Sequence, residues 1–468
     1  MHALIVFLQC ERIWRWIYFR RALYRVRGQI LHKSFNAISL NLKVFLLCED
    51  ENGLSLKTIL VVADGMADRP IKELEFKTPL EAATKPNLDR IAKHGISGIM
   101  DPIAPGIPPG SDTSTLAILG YDPFKVYSGR GALEAEGSGV EVLPGDVAFR
   151  CNFATVNEDL VVLDRRAGRI ANEDAAKLAT SLGKIRLQPF LRIRYQFKNT
   201  VQHRAILVIR GPKLSSAVSD SDPEAIGKKV LDIKPLDNSV ETKRTAQIVN
   251  TLIHSFHEVL SKHPVNKLRA KSNLPVANMI LCRGAGNIPR IPTLQEKYDI
   301  KPACVAAVSL IKGVSKVAGM DLISVKGATG TVQTDYMAKA KAAVQSLKKH
   351  DFVLLHVKAT DVASHDGNVK LKIEIIEKID KMLGYILSNT DPNSTIIAVT
   401  ADHTTSLVTR NHEGDPVPIM IMGPGVRCDD VADFGERTCA KGGLNRIRGL
   451  DLMPTLMSLM GKTKKFGA

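Results

Sequence analysis

The sequence predicts an α/β protein whose core is a mostly parallel sheet. Two observations carry this. Residues 57–63 (KTILVVA), 351–357 (DFVLLHV) and 395–400 (TIIAVT) are short apolar runs, as expected of strands buried on both faces. They alternate with helical patterns. In residues 370–388, Ile375, Ile379, Met382 and Ile386 share one face, and Glu374, Lys378 and Lys381 take the solvated one. Met382 and Met420 read as core.

Length and composition bound the rest. A chain of 468 residues suggests two to three domains. Hydrophobic residues make up 44% and charged residues 24%, which excludes a disordered or collagen-like chain. The cysteines at 10, 48, 151, 282, 304, 428 and 439 form no CxxC pair. That argues against a disulfide scaffold or a thiolate zinc site and fits a reducing, cytoplasmic setting. No run of 18 apolar residues occurs, so no transmembrane helix is expected.

The formal net charge is +16, unevenly spread. Residues 1–48 hold eight Lys or Arg against one acid, Glu11, and both tryptophans, Trp14 and Trp16. This basic segment, 1–52, is read as an extension outside the fold. It has the charge pattern of an organellar presequence, though it is poor in serine, and an upstream-extended reading frame would look the same. A strongly basic chain can bind nucleic acid or a membrane surface. Because the excess is so local, the body is read instead as handling a small anion, with no nucleic-acid partner.

Each apolar run ends in residues that carry chemistry. Asp64 and Gly65 follow the first. Lys358, Asp361 and His365 follow the second. Asp402 and His403 follow the third, and His412 comes nine residues later. Ligands bind outside the carboxyl ends of strands in open α/β sheets. An Asp after a strand is, taken alone, a turn former or helix cap. Three carboxylates on one sheet edge are different, because they repel one another and lose hydration. Divalent cations remove both penalties, and Asp/His donors without thiolate suit Mn²⁺, Zn²⁺ or Mg²⁺.

A nucleophile is placed by the loop PGIPPG (105–110) and the helical pattern that begins at Ser111. A serine there is ordinarily an N-cap. Beside metals its hydroxyl acidifies. The positive end of the helix also favours an incoming phosphate, which makes Ser111 a phosphate acceptor.

The order Asp, Ser, DxxxH, Asp-His, His resembles the alkaline phosphatase superfamily. DGMADRP (64–70), PGSDTSTLAILGYDP (109–123), GRGALEAEGSG (129–139) and GDVAFRCNFATV (145–156) narrow it. DRRAGRI (164–170), RGAGNIP (283–289), HVKATDVASHDGN (356–368) and ADHTT (401–405) narrow it further. Over about 55–465 the chain is similar to the archaeal-type, cofactor-independent phosphoglycerate mutases. Thr115 stands where several relatives carry His.

The resemblance implies an alkaline-phosphatase-like core with helices on both faces of its sheet. It implies two divalent ions, with Mn²⁺ expected and Zn²⁺, Co²⁺ or Mg²⁺ as substitutes. Asp64, Ser111, Asp402 and His403 match the ligands of one ion, and Asp361, His365 and His412 those of the other. Ser111 is the implied nucleophile, passing phosphate between the 3- and 2-positions of glycerate without 2,3-bisphosphoglycerate. Such a chemistry must exclude water, or the enzyme becomes a phosphatase. The stretch 141–275 is therefore read as an inserted α+β cap on a core formed by 53–140 and 276–468. The cap and its flank supply Arg150, Asp164, Arg165, Arg166, Arg169, His203, Arg204 and Arg283 for substrate anions, and Lys358 sits ready for phosphate. A metal-dependent phosphomonoesterase or another phosphomutase is the alternative reading.

Overall fold

A computed structural model describes residues 55–188 and 190–467, so the basic segment 1–52 and the expectations for it lie outside the described residues. The strands follow the apolar runs. β1 is Lys57–Ala63, β2 Ile96–Asp101, β3 Val147–Val156, β4 Val162–Asp164, β5 Arg194–Asn199, β6 Arg204–Arg210, β7 Met279–Gly286 and β8 Pro302–Val305. β9 is Asp321–Leu322, β10 Phe352–Val357, β11 Thr395–Thr400, β12 Thr404–Thr405, β13 His412–Glu413, β14 Val417–Met422 and β15 Asn445–Arg448.

Eight strands form the main sheet in the order β15-β2-β14-β11-β1-β10-β8-β9. Only β14 runs against its neighbours, so the sheet is mostly parallel. The three strands expected to carry the chemistry sit side by side at its centre. β1 pairs with β10 (Ala63 opposite Val357) and with β11 (Val62 opposite Thr400), so their carboxyl ends are level. All of β10 and β11 is buried, which explains why both lack polar alternation.

A second, antiparallel sheet contains β4, β3, β6 and β5, with β7 also pairing with β3. Helices Asn172–Leu182 and Val240–Lys262 cover it with Leu178, Ile248, Leu252 and Phe256. Sequence reading returned the chain to the core at 276. Met279–Gly286 instead pairs with Ala148–Ala154, so this sheet extends past that boundary. An apolar strand bears no mark of which sheet it joins.

Four helices matter for the site: α1 (Ser111–Ile118), α2 (Arg130–Gly137), α3 (Ala359–His365) and α4 (Val369–Asn389). α4 buries Ile375, Ile379, Met382 and Ile386 and exposes Glu374, Lys378 and Lys381, as its periodicity requires. It also buries Lys372. The ammonium donates to Asp68 Oδ2 (2.7 Å) and to the carbonyls of Thr405 (3.0 Å) and Ala67 (3.3 Å). Both side chains of the pair are fully buried. The pair ties the loop after β1 to the loop after β11. Removing one partner of a buried ion pair leaves an uncompensated charge. Lys372→Met is therefore expected to cost about 3–5 kcal/mol in denaturant unfolding. A loss smaller than about 1 kcal/mol would show that Asp68 finds another partner.

Among the described residues no helix is long and apolar enough to cross a membrane.

Candidate metal centre and nucleophile

Asp64 leaves the end of β1 fully buried. Its Oδ1 lies 2.9 Å from Lys358 Nζ and 3.3 Å from His403 Nε2. Its Oδ2 lies 3.0 Å from His356 Nε2. Gly65 follows with φ +63, and a Cβ there would stand 2.4 Å from Thr405 Oγ1 and 2.9 Å from Asp361 Cβ. Glycine is what lets the other two loops close on this turn.

Asp361 and His365 lie one turn apart on α3, so the DxxxH spacing puts both on one face. Asp361 Oδ1 is 3.3 Å from Nε2 of both His365 and His412. Its Oδ2 is 2.7 Å from Lys358 Nζ. His412 is returned to the centre by the β12–β13 hairpin, in which it pairs with Thr405. Its ring stacks on that of His403, with 3.7 Å between centroids.

Ser111 opens α1, with Gly110 at the N-cap position. The serine is therefore the first helical residue rather than the cap. Its Oγ is 3.2 Å from His403 Nε2 and 3.5 Å from Lys358 Nζ. Thr115 donates to the Ser111 carbonyl at 2.5 Å, so it braces the first turn.

Hydrogen bonds fix how the imidazoles face. Carbonyl oxygens only accept, so His365 donates Nδ1–H to Arg410 (2.7 Å) and His412 donates Nδ1–H to Pro109 (2.7 Å). Thr405 donates to Asp361 Oδ1 (2.9 Å) and so accepts from His403 Nδ1 (2.9 Å). All three rings, when neutral, turn an Nε2 lone pair inward, towards Asp361, Asp64 and Ser111. Lone pairs facing carboxylates repel unless a cation lies between them. Asp402 adds to the case. Burial, and then the neighbouring Asp64, push its pKa up to about 7. Oδ1 of Asp402 accepts the Gly65 N–H at 3.1 Å, while its Oδ2 and Oδ2 of Asp64 are buried without hydrogen-bond partners. The donor set suits divalent cations, with Asp361–His365–His412 and Asp64–Asp361–His403 each gathered within 4.8 Å.

A cluster of cations occupies the second sheet. Arg150 on β3 pairs in register with Arg283 on β7, and Arg204 opposes Asn152. Burial pushes the Arg150 pKa down to about 10, and Arg130, Arg283 and Arg204 push the same way. Burial likewise takes His203 down to about 4, with help from Arg204, Arg166, Arg150 and Arg169. Glu134 on α2 offsets part of this repulsion, lying 3.2 Å from Arg130 Nε and 3.4 Å from Arg150 Nε. Arg130 is held charged against its burial by Glu134 and then by Asp112, the residue after Ser111.

Residues 92–266 match the sequence model of a family described as 2,3-bisphosphoglycerate-independent phosphoglycerate mutase. A protein of that name from Methanococcus maripaludis is 51% identical over 413 residues, covering 88% of this chain and 100% of the relative. Another, from Methanocaldococcus jannaschii, is 50% identical over 412 residues, covering 88% of this chain and 99% of the relative. The chain belongs to the 2,3-bisphosphoglycerate-independent phosphoglycerate mutase family. Solved structures agree. The cofactor-independent phosphoglycerate mutase of Thermoplasma acidophilum superposes with a TM-score of 0.65 at 40% identity, over 87% of this chain and 100% of that one. A protein of Pyrococcus horikoshii gives 0.78 at 42% identity, over 88% and 100%.

Within this mutase-family chain, Asp64, Ser111, Lys358, Asp361, His365, Asp402, His403 and His412 come together at the carboxyl ends of β1, β10 and β11. Arg150, Arg166, Arg169, His203, Arg204 and Arg283 gather in the second cluster. Two residues expected beside them are engaged elsewhere, and Arg283 itself also leans on Asp222, with its Nη1 3.5 Å from Oδ2. Asp164 accepts the N–H groups of Arg166 and Gly168, both at 2.7 Å, and so builds the turn after β4. Arg165 grips Asp222 with two bonds of 3.0 and 2.8 Å and reaches the Glu224 carbonyl. Its fork is spent on an ion pair that spans 57 positions of sequence. Sequence reading missed His356, Arg130 and Glu134. The last two carried a signal, since Arg and Glu four apart in GRGALEAEG sit on one helix face.

Proposed function

We propose that this chain interconverts 3-phosphoglycerate and 2-phosphoglycerate in glycolysis and gluconeogenesis, through a phosphoserine at Ser111 and without 2,3-bisphosphoglycerate. One observation carries the reading: a buried serine at a helix N-terminus, its Oγ 3.2 Å from His403 Nε2, inside a ring of three carboxylates and three inward-facing imidazoles. Asp64, Ser111, Asp402 and His403 would hold one divalent ion, and Asp361, His365 and His412 the other. Mn²⁺ is the expected metal, with Zn²⁺, Co²⁺ or Mg²⁺ able to substitute. When bound, the ions would acidify the serine hydroxyl and offset phosphate charge.

The chain's own groups do the rest. Ser111 Oγ takes the phosphoryl group as the bond to the glycerate oxygen breaks. Lys358 and the first N–H groups of α1 face the phosphate. Arg150, Arg166, Arg169, Arg204 and Arg283, with His203, hold the glycerate carboxylate. The segment from about 141 to 286 acts as a cap that keeps water out while glycerate turns. The other hydroxyl then takes the phosphoryl group from Ser111, and substrate and product are isomers with no net use of water. Glycolytic work places the protein in the cytoplasm.

The same core without a closed cap would be a phosphomonoesterase. Purified protein with Mn²⁺ and 3-phosphoglycerate separates the two. Formation of 2-phosphoglycerate with little free phosphate is expected. Stoichiometric phosphate release with no 2-phosphoglycerate would sink the mutase reading.

A further inference from the structure

His356 has no place in the two ligand sets above. It is the fifth residue of β10, in register with Val62 of β1 and 1% exposed. Its Nε2 approaches Asp64 Oδ2 to 3.0 Å, yet the two are not aligned as a hydrogen bond. Both ring nitrogens of His356, Oδ2 of Asp64 and Oδ2 of Asp402 are buried, and none has a hydrogen-bond partner. Asp64, His356 and Asp402 offer donor atoms that all lie within 4.8 Å of one another. The other oxygen of Asp64 is the one that meets Lys358 and His403.

Buried polar groups in folded proteins are almost always satisfied, because an unsatisfied one forfeits its hydration with no return. A single proton does not settle this group. Carried on His356 Nε2 it meets Asp64 Oδ2 out of line and still leaves Asp402 Oδ2 bare. A cation with several coordination positions answers one ring nitrogen of His356 together with Asp64 Oδ2 and Asp402 Oδ2 at once. We infer that His356 is a metal ligand, holding a divalent cation together with Asp64 and Asp402 on the strand side of the centre. This rests on the metal reading above. One imidazole with two carboxylates suits Mn²⁺ or Zn²⁺ better than Mg²⁺, which prefers an all-oxygen shell.

The test counts ions bound to the full chain. Wild type, His356→Gln and His356→Leu are stripped, reloaded with Mn²⁺ or Zn²⁺, and measured by plasma mass spectrometry and by titration. Both variants are expected to hold one ion fewer per chain, or to bind it at least about 10–100-fold more weakly. Unchanged stoichiometry and affinity would overturn the inference. Wild type that binds no divalent ion defeats the metal reading and this inference with it. Should the variants not fold, wild type labelled with ¹⁵N-histidine supplies a second readout. On Zn²⁺ loading, four imidazoles are expected to take metal-bound shifts, and only three would refute the role of His356.

Discussion

Ser111→Ala is expected to lower conversion of 3-phosphoglycerate by about 10⁴-fold or more, the scale on which a lost nucleophile acts. Metal content should stay close to that of wild type. Asp64, Asp402 and His403 persist, and His403 keeps its Nδ1 bond to Thr405 when its 3.2 Å contact with Ser111 Oγ is lost. Acid-quenched wild type should yield a phosphorylated peptide containing residue 111, and the variant should not. A coupled enolase assay measures the rate. Activity within tenfold of wild type would remove Ser111 from the chemistry, whatever the metal content.

Asp361→Ala should have the second largest effect. One carboxylate here meets His365 and His412 at 3.3 Å, Lys358 at 2.7 Å and Thr405 at 2.9 Å. Without it His365 and His412 lose their common partner. Thr405 also loses the acceptor that orients it towards His403. One divalent ion per chain should be lost, with the rate falling by more than about 100-fold, above the range seen when only a supporting contact is removed. Lys358 still has Asp64 as a partner, so the protein should remain folded by circular dichroism. A full complement of metal at full rate would contradict the assigned role.

Much of the fold and most of the metal centre could be read from the chain because the physics there is local. A strand buried on both faces leaves an uninterrupted apolar run, and its carboxyl end tells where the next residues point. Asp64, Asp361 and Asp402 are legible on that ground. The helical period placed Ile375, Ile379 and Met382 correctly, yet it gave no hint that Lys372 is buried, since its partner Asp68 is some 300 positions away. The same holds for Arg165. Nothing in DRRAGRI tells which arginine will be taken by Asp222 and which will stay open to an anion. His356 sits within an apolar run, where a histidine reads as an ordinary strand residue until the neighbouring strand sets Asp64 beside it. The strand Met279–Gly286 reads as core from its sequence for a related reason. Pairing partners are chosen in three dimensions, and a run of apolar residues names none of them.

The acceptors that orient His365 and His412 belong to the main chain, at Arg410 and Pro109. Side chains at these two positions can therefore drift through evolution without disturbing which nitrogen of either ring carries the hydrogen, provided the loops keep their path. His403 lacks that insulation. Its partner is the hydroxyl of Thr405, so heritable change at 405 is confined to serine if the relay from imidazole to Asp361 is to survive.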